Sequence, residues 1–231
     1  AGLEEPLLSL DERMAERRDK LSAKESRLQT LQDLERRREG MGTGVKHVLN
    51  AIQGEQPQLE GLFGTVAELF DVDVEYALAI EAALTTSAQM VVAEDTDRVR
   101  AAIEFLRRDD HGRATFLPLD RARPASNALP PISDHPSYIG PAIKFIRARE
   151  PHQEVLRQLL AGTHIFRDLE TALELAPKFP PSAHLVTLAG DLVASSGPIT
   201  GGGSTDRMGI ISRRSEIRQL DREVTQIREL M

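Results

Sequence analysis

The sequence predicts an α/β (α+β) body in two parts, set between two long helices that pair with each other antiparallel as a coiled coil. Three observations predict it: an apolar heptad at each end, a middle where short β-branched runs alternate with helices that start acidic, and a Pro-, Ser- and Asn-rich stretch dividing that middle. The layout is an N-terminal coiled-coil arm over residues 1–40, a domain over 41–206 and a C-terminal coiled-coil arm over 207–231. Within the domain, the first half covers about 41–123, a linker about 124–137, and the second half about 138–206.

The N-terminal arm carries a 4,3 spacing through Leu3, Leu7, Leu10, Met14, Arg17, Leu21, Lys24, Leu28, Leu31 and Glu35, and seven of these ten positions are apolar. Charged residues fill the positions between, Pro6 fits a first helical turn, and Gly40, Gly42 and Gly44 stop the helix. At the other end Ile210, Arg213, Ile217, Leu220, Val224, Ile227 and Met231 repeat the pattern. A helix of roughly 35 residues is about 50 Å long, too long for a small domain at one end to cover its stripe. The two arms are read as each other's partner, the plainer alternative being an amphipathic helix packed on its own domain.

In the first half a strand is expected around Gly61 to Ala67, then a helix from an Asp73 N-cap through Tyr76, Ala77, Ile80 and Leu84. A buried strand follows at Gln89 to Ala93. The next helix has Glu94, Asp95 and Asp97 at its start and Arg107 and Arg108 at its end, as the helix dipole favours, and a buried stripe of Val99, Ala102, Ile103 and Leu106. A strand over Ala114 to Leu117 closes this half. After the Pro124 to Pro136 linker come helical Ile143 to Arg147, a helix over Pro151 to Leu160 and a strand over Thr163 to Phe166. Helix Asp168 to Ala176 and a strand from His184 lead to a hairpin around Gly190 and Asp191, and the glycine-rich Gly197 to Ser204 precedes the exit helix. Strand, acidic-capped helix, strand occurs in both halves, a weak sign of internal duplication.

Composition excludes several classes of function. The net charge of -7 resides in the middle, since residues 1–40 hold ten acids and nine bases and residues 206–231 five acids and six bases. Such a body is not a general polyanion binder. Without cysteine there is no disulfide framework, thiol nucleophile or cysteine zinc site, which fits a cytoplasmic protein. No apolar run approaches the ~20 residues that span a bilayer. Ala1 leads straight into a charged helical stretch, as in a piece cut from a longer chain.

Enzymatic chemistry has no foothold. Gly197-Pro-Ile-Thr-Gly-Gly-Gly203-Ser204 is one residue from a phosphate-binding loop, but glycine stands where the phosphate-binding lysine belongs. The histidines at 47, 111, 135, 152, 164 and 184 have no metal-ligand spacing, and Ser195 and Ser196 lack an evident base. No cofactor and no catalytic residue is expected.

The stretch from Tyr76 to Leu119, YALAIEAALTTSAQMVVAEDTDRVRAAIEFLRRDDHGRATFLPL, resembles the first half of the hinge domain of structural maintenance of chromosomes (SMC) proteins, of bacterial type. AGTHIFRDLETALELA and HLVTLAGDLVASSGPITGGGS resemble its second half, so the likeness covers roughly residues 44–205. Thr85 departs from it, replacing the family's usual glycine after AIEAAL. The resemblance implies a homodimerisation hinge, not itself an enzyme, at the far end of a coiled coil from an ATPase head. Two hinges join the arms into a V or ring around DNA, in the cytoplasm at the nucleoid, in chromosome condensation and segregation. It implies that edge strands of one protomer's first half pair with the second half of the other. The resemblance also puts Gly201, Gly202 and Gly203 at the dimer interface, together with Thr115 and Phe116, the alternative for the glycines being a flexible linker between Thr200 and the exit helix.

Two alternatives stand beside this reading. One is a nucleic-acid-binding module, acting electrostatically through a basic neck of Arg36, Arg37, Arg38, Lys46, Arg207, Arg213 and Arg214, against which stands the ordinary solvated helix face. The other is a hydrolase, which the missing motifs make remote. A coiled-coil apex closed by a shared zinc is excluded by the lack of cysteine.

Overall fold

The structure, a computed structural model, describes residues 4–121, 135–148, 152–202 and 209–230, with side chains from residue 14 onward. The chain divides into two compact units, one of Ala1–Glu39 with Arg213–Met231 and one of Gly40–Ser212.

In the helical unit, α1 (Glu4–Arg36) packs on α7 (Ile210–Glu229). The direction is antiparallel, because residues rising along α1 meet residues falling along α7: Arg17 with the Leu230 carbonyl, Lys24 with Glu223, Arg27 with Glu216, and Glu35 with Arg214. The expected seam is the buried one, with Leu31, Leu220 and Val224 enclosed and Met14, Leu21, Leu28, Ile217 and Ile227 half-buried. The polar seam members are accommodated differently. Lys24 and Glu35 pair with charged side chains of α7, whereas the exposed Arg17 donates to the Leu230 carbonyl just past its end.

The α/β unit opens with α2 (Thr43–Gln53), a helix the glycine pattern had hidden. The first half continues as β1 (Leu62–Thr65), β2 (Phe70–Val72), α3 (Val74–Leu84), β3 (Val91–Ala93), α4 (Thr96–Arg108) and β4 (Phe116–Pro118). The second half repeats that order as β5 (Tyr138–Pro141), β6 (Ile146–Ala148), α5 (Gln153–Leu160), β7 (Thr163–Phe166), α6 (Leu169–Leu175) and β8 (His184–Thr187). It then adds β9 (Leu192–Ala194) and β10 (Ile199–Thr200).

The repetition extends to the pairing. β1 runs antiparallel to β3 with a bulge between Leu62 and Gly64, and β5 runs antiparallel to β7 with a bulge between Tyr138 and Gly140. A strand–helix–strand crossover makes β3 and β4 parallel, and another makes β7 and β8 parallel. The crossover helices start alike: the Asp95 carboxylate accepts from the Arg98 amide, and the Asp168 carboxylate from the Thr171 amide, each at 2.8 Å. The halves join where β2 pairs antiparallel with β6, Asp71 opposite Arg147. The sequence signal for duplication therefore understated a full structural repeat.

Three expectations are corrected. Ile143 to Arg147 is not a helix: residues 142–145 form one short 3-10 turn, and Ile146 and Arg147 belong to β6, because β2 offers them a ladder partner. Asp73 stands at the N-cap of α3, but its carboxylate makes no cap and instead takes the Arg147 guanidinium at 2.7 and 3.1 Å. The strand expected at Ala114 to Leu117 is shifted to Phe116–Pro118. The linker lies almost entirely outside the described residues.

One core spans both halves, with Phe70, Ile80, Leu84 and Val92 from the first meeting Leu156, Leu160, Ile165 and Val186 from the second. Each such side chain stabilises the fold by roughly 1.5–3 kcal/mol through burial. A satellite core of Val45, Val48, Leu49, Phe105 and Leu106 seats α2 on α4, and another gathers Phe166, Phe179 and Leu185 under α6. Ile210 and Ile211, the first residues of α7, are enclosed in the shared core.

Candidate dimer interface

Every open sheet has two edges whose backbone N–H and C=O groups lack partners. The three-stranded sheet is ordered β1-β3-β4 and the five-stranded sheet β10-β9-β8-β7-β5. Among the described residues their edges are therefore β1, β4, β5 and β10. The glycine bulges in β1 and β5 interrupt the ladder and twist those strands, which discourages a further strand from adding. Neither β4 nor β10 carries a bulge.

Of the expected interface residues, Thr115 is exposed just before β4, its carbonyl accepting from the Val91 amide on the inner side at 2.9 Å, and Phe116 is half-buried against the first-half core. Beside them lies a cleft of about 260 Å³ lined by Gly42, Val45, Met90, Arg113 and Thr115 among others. Gly201 and Gly202 directly follow β10 and are exposed, while Gly203 falls outside the described residues. Ile199 on β10 is a large apolar side chain 56% exposed. Sequence reasoning missed it, although an isoleucine in a Gly- and Pro-rich loop was a usable signal.

The two described glycines have local reasons to be glycine. A Cβ on Gly201 would come within 2.5 Å of an Asp191 carboxylate oxygen, and Asp191 is held by the Thr187 hydroxyl at 2.9 Å. Gly202 has open space around it but φ of +129°, a backbone region closed to ordinary side chains. A bulky residue at either position therefore disturbs the strand's own exit, whether or not a partner backbone is near.

The basic neck residues are mostly engaged. Arg213 is only 3% exposed and donates to the Glu39 carbonyl at 2.8 Å, Arg214 pairs with Glu35 at 2.6 Å, and Arg36 pairs with Asp33. Arg37 is exposed and Arg38 is half-buried with a partner of its own. Lys46 is half-buried on α2 in the other unit, and Arg207 lies outside the described residues.

The histidines serve packing. His47 and His111 stack at 4.2 Å with nearly parallel rings, and the Tyr138 hydroxyl meets His164 Nδ1 at 3.0 Å. Burial pushes His164 down to about 4, so it is neutral at pH 7, and raises Tyr138. Among the described residues no group of three or more such side chains could hold a metal ion, and no helix is long and apolar enough to cross a membrane.

A duplicated α/β unit whose β4 and β10 edges have no neighbouring strand among the described residues, in a chain that also holds paired antiparallel helices, defines a hinge-type module. Residues 59–176, just over half of the chain, match the family model described as the SMC proteins flexible hinge domain, and the chain belongs to that family. It is 35% identical over 207 residues to the chromosome partition protein Smc of Desulfitobacterium hafniense, covering 88% of this chain and 17% of that protein. It is 34% identical over 194 residues to that of Bacillus subtilis, covering 82% and 16%. The chain thus spans about a sixth of the length of these relatives. Among solved structures, an asymmetric dimer of the Geobacillus stearothermophilus SMC hinge domain matches with a TM-score of 0.77 and 32% identity, over 94% of this chain and 86% of that one. The Pyrococcus furiosus Smc hinge domain with an extended coiled coil matches with a TM-score of 0.56 and 27% identity, over 98% and 83%.

Proposed function

We propose that this chain is the homodimerisation hinge of an SMC chromosome-organising ATPase, and that β10 of one protomer adds to the outer edge of β4 in its partner. The observation that carries this reading is that no described strand covers β4, in a unit whose other half covers the matching edge, β8, with its own β9. Two-fold symmetry uses each pairing twice, so one substitution per chain damages two contacts. Joined in this way, two helical arms form a V or ring that embraces DNA. ATP hydrolysis belongs to a part of the longer protein beyond this stretch, and action on the chromosome, at the nucleoid, accords with the relatives' name as chromosome partition proteins.

The test is sedimentation equilibrium of this chain and of its Ile199→Lys variant. A lysine on an exposed edge position opposes strand addition without touching the core. The parent is expected to be a dimer and the variant a monomer with an unchanged circular dichroism spectrum. A variant that dimerises as tightly as the parent sinks the edge-pairing reading.

The basic-neck reading is the weaker one, because Arg36, Arg213 and Arg214 already have acceptors on α1 or just beyond its end. It requires DNA affinity that falls as salt rises by about one unit of log–log slope per phosphate neutralised. Titrations unchanged by reversing Arg36, Arg37, Arg38, Arg213 and Arg214 to Glu exclude it.

A further inference from the structure

We propose that Glu81 and Gln89, at the two ends of one short stretch of the first half, are positioning residues that clamp both the entry and the exit of the α/β unit. The entry is the segment Gly40 to Gly42 that leads into α2, and the exit is the first turn of α7. Both come to the segment running from α3 to the start of β3.

At the exit, the first amides of a helix have no acceptor within the helix, and a Ser, Thr, Asp or Asn at the N-cap ordinarily supplies one. The residue before α7 is Gly209, which has no side chain to offer. The acceptor arrives from 131 residues away: a Glu81 carboxylate oxygen takes the Ser212 amide at 2.9 Å. The fit leaves no room to spare, since a Cβ at position 209 would fall 2.0 to 2.4 Å from all three atoms of the Glu81 carboxyl group. A negative charge at this end of the helix also meets the favourable end of its dipole. Ile210 and Ile211 beside it are enclosed in the shared core, so a polar and an apolar contact hold the same turn.

At the entry, the Gln89 side-chain amide bonds two backbone groups at once. Its oxygen accepts from the Gly42 amide at 3.0 Å, and its nitrogen donates to the Gly40 carbonyl at 3.1 Å. Met41 between them packs against both the shared and the first-half cores. The second half, although the chain leaves from it, supplies none of these polar contacts. The first half therefore holds both chain ends, and it also carries β4. In a dimer built on that edge, a strand added to β4 acts on the sheet next to the segment that fixes where both helices begin.

Hydrogen exchange of the intact chain tests the assignment, with dimer mass followed separately so that the edge-pairing reading can fail independently. Glu81→Ala removes the acceptor and is expected to speed exchange at the amides of residues 211–213 by about tenfold. Gln89→Ala is expected to do the same at Gly42 and to leave 211–213 alone. Amides of β7 and β8 should keep their protection in both variants. Gly209→Ala wedges a methyl against the carboxylate, so it should speed exchange at 211–213 in the parent and add nothing in a Glu81→Ala background. Unchanged exchange at the start of α7 in Glu81→Ala, additive effects of the Gly209 and Glu81 changes, or an equal loss of protection in β7 and β8 would each overturn the proposal. The last outcome would make Glu81 a general stabiliser.

Discussion

The first and second halves of the α/β unit follow the same course, a bulged strand, a short strand shared at the centre, a helix, then a strand–helix–strand crossover, yet they end differently. Among the described residues no strand covers the outer edge of β4, whereas β8 is covered by β9. The residue before each strand registers the difference: Thr115 is exposed, while Ala183 is buried at 2% and its carbonyl accepts from the Ser195 amide at 3.0 Å. A repeated fold can thus cover one edge and leave the matching one without a described neighbour. The interior differs as well. Around α6 the second half packs Phe166, Phe179, Tyr138 and His164 in ring contact, whereas beside α2 the first half has a smaller ring group of His47, His111 and Phe105.

The aromatic cluster offers the largest effect. Phe166 is fully buried, and Phe166→Ala is expected to lower stability by about 3–5 kcal/mol, measured by urea denaturation. A loss below about 1 kcal/mol would show that the second half does not depend on that cluster. Next comes the β4 edge. Thr115→Lys is expected to weaken the dimer at least about tenfold, roughly 1.4 kcal/mol or more, while the melting temperature of the separated protomer stays the same. Should the dimer survive intact, β4 and β8 would be equally finished and the contrast between the halves would fail.

Acid should act through the second half. His164 titrates near 4 in the folded protein and near 6.5 when unfolded, so the unfolded chain takes up the proton first as pH falls. Stability from keeping this imidazole neutral is full above about pH 6.5 and is lost progressively toward pH 4, by an amount of order 1 kcal/mol after allowing for solvent screening. Denaturation at pH 7 and pH 4.5 should show the drop, and His164→Asn should flatten it. A His164→Asn variant with the same pH dependence as the parent would locate the effect elsewhere.

The smallest effect concerns how each half ends its first long helix. The second half follows α5 with Gly162 at φ of +71°, a conformation glycine adopts freely. The first half places Thr85 at φ 46°, ψ -124°, where a β-branched side chain is strained. Thr85→Gly is expected to raise stability by up to about 1 kcal/mol, or a few degrees in melting temperature. A lower melting temperature would mean that Thr85 makes a compensating contact.

The sequence by itself determined what depends on periodicity and on local chemistry. Heptads identify arm helices because an apolar stripe of that length requires a second helix, and the acidic starts of α4 and α6 were readable because they are local, whereas which carboxylate caps was not, since Asp95 and Asp168 cap and Asp73 does not. The resemblance carried by AIEAALTTSAQM and GPITGGGS led to the right family. Tertiary structure alone decided matters that depend on residues far apart in the chain. Ile146 and Arg147 form a strand because β2 pairs with them, and Asp73 abandons its cap because Arg147 arrives across that pairing. Glu81 sits 131 positions from the amide it accepts, a separation no local pattern can signal. Which edges stay bare is likewise a property of sheet order. An edge is defined by the strand that is missing beside it, and an absent neighbour leaves no mark on the local sequence.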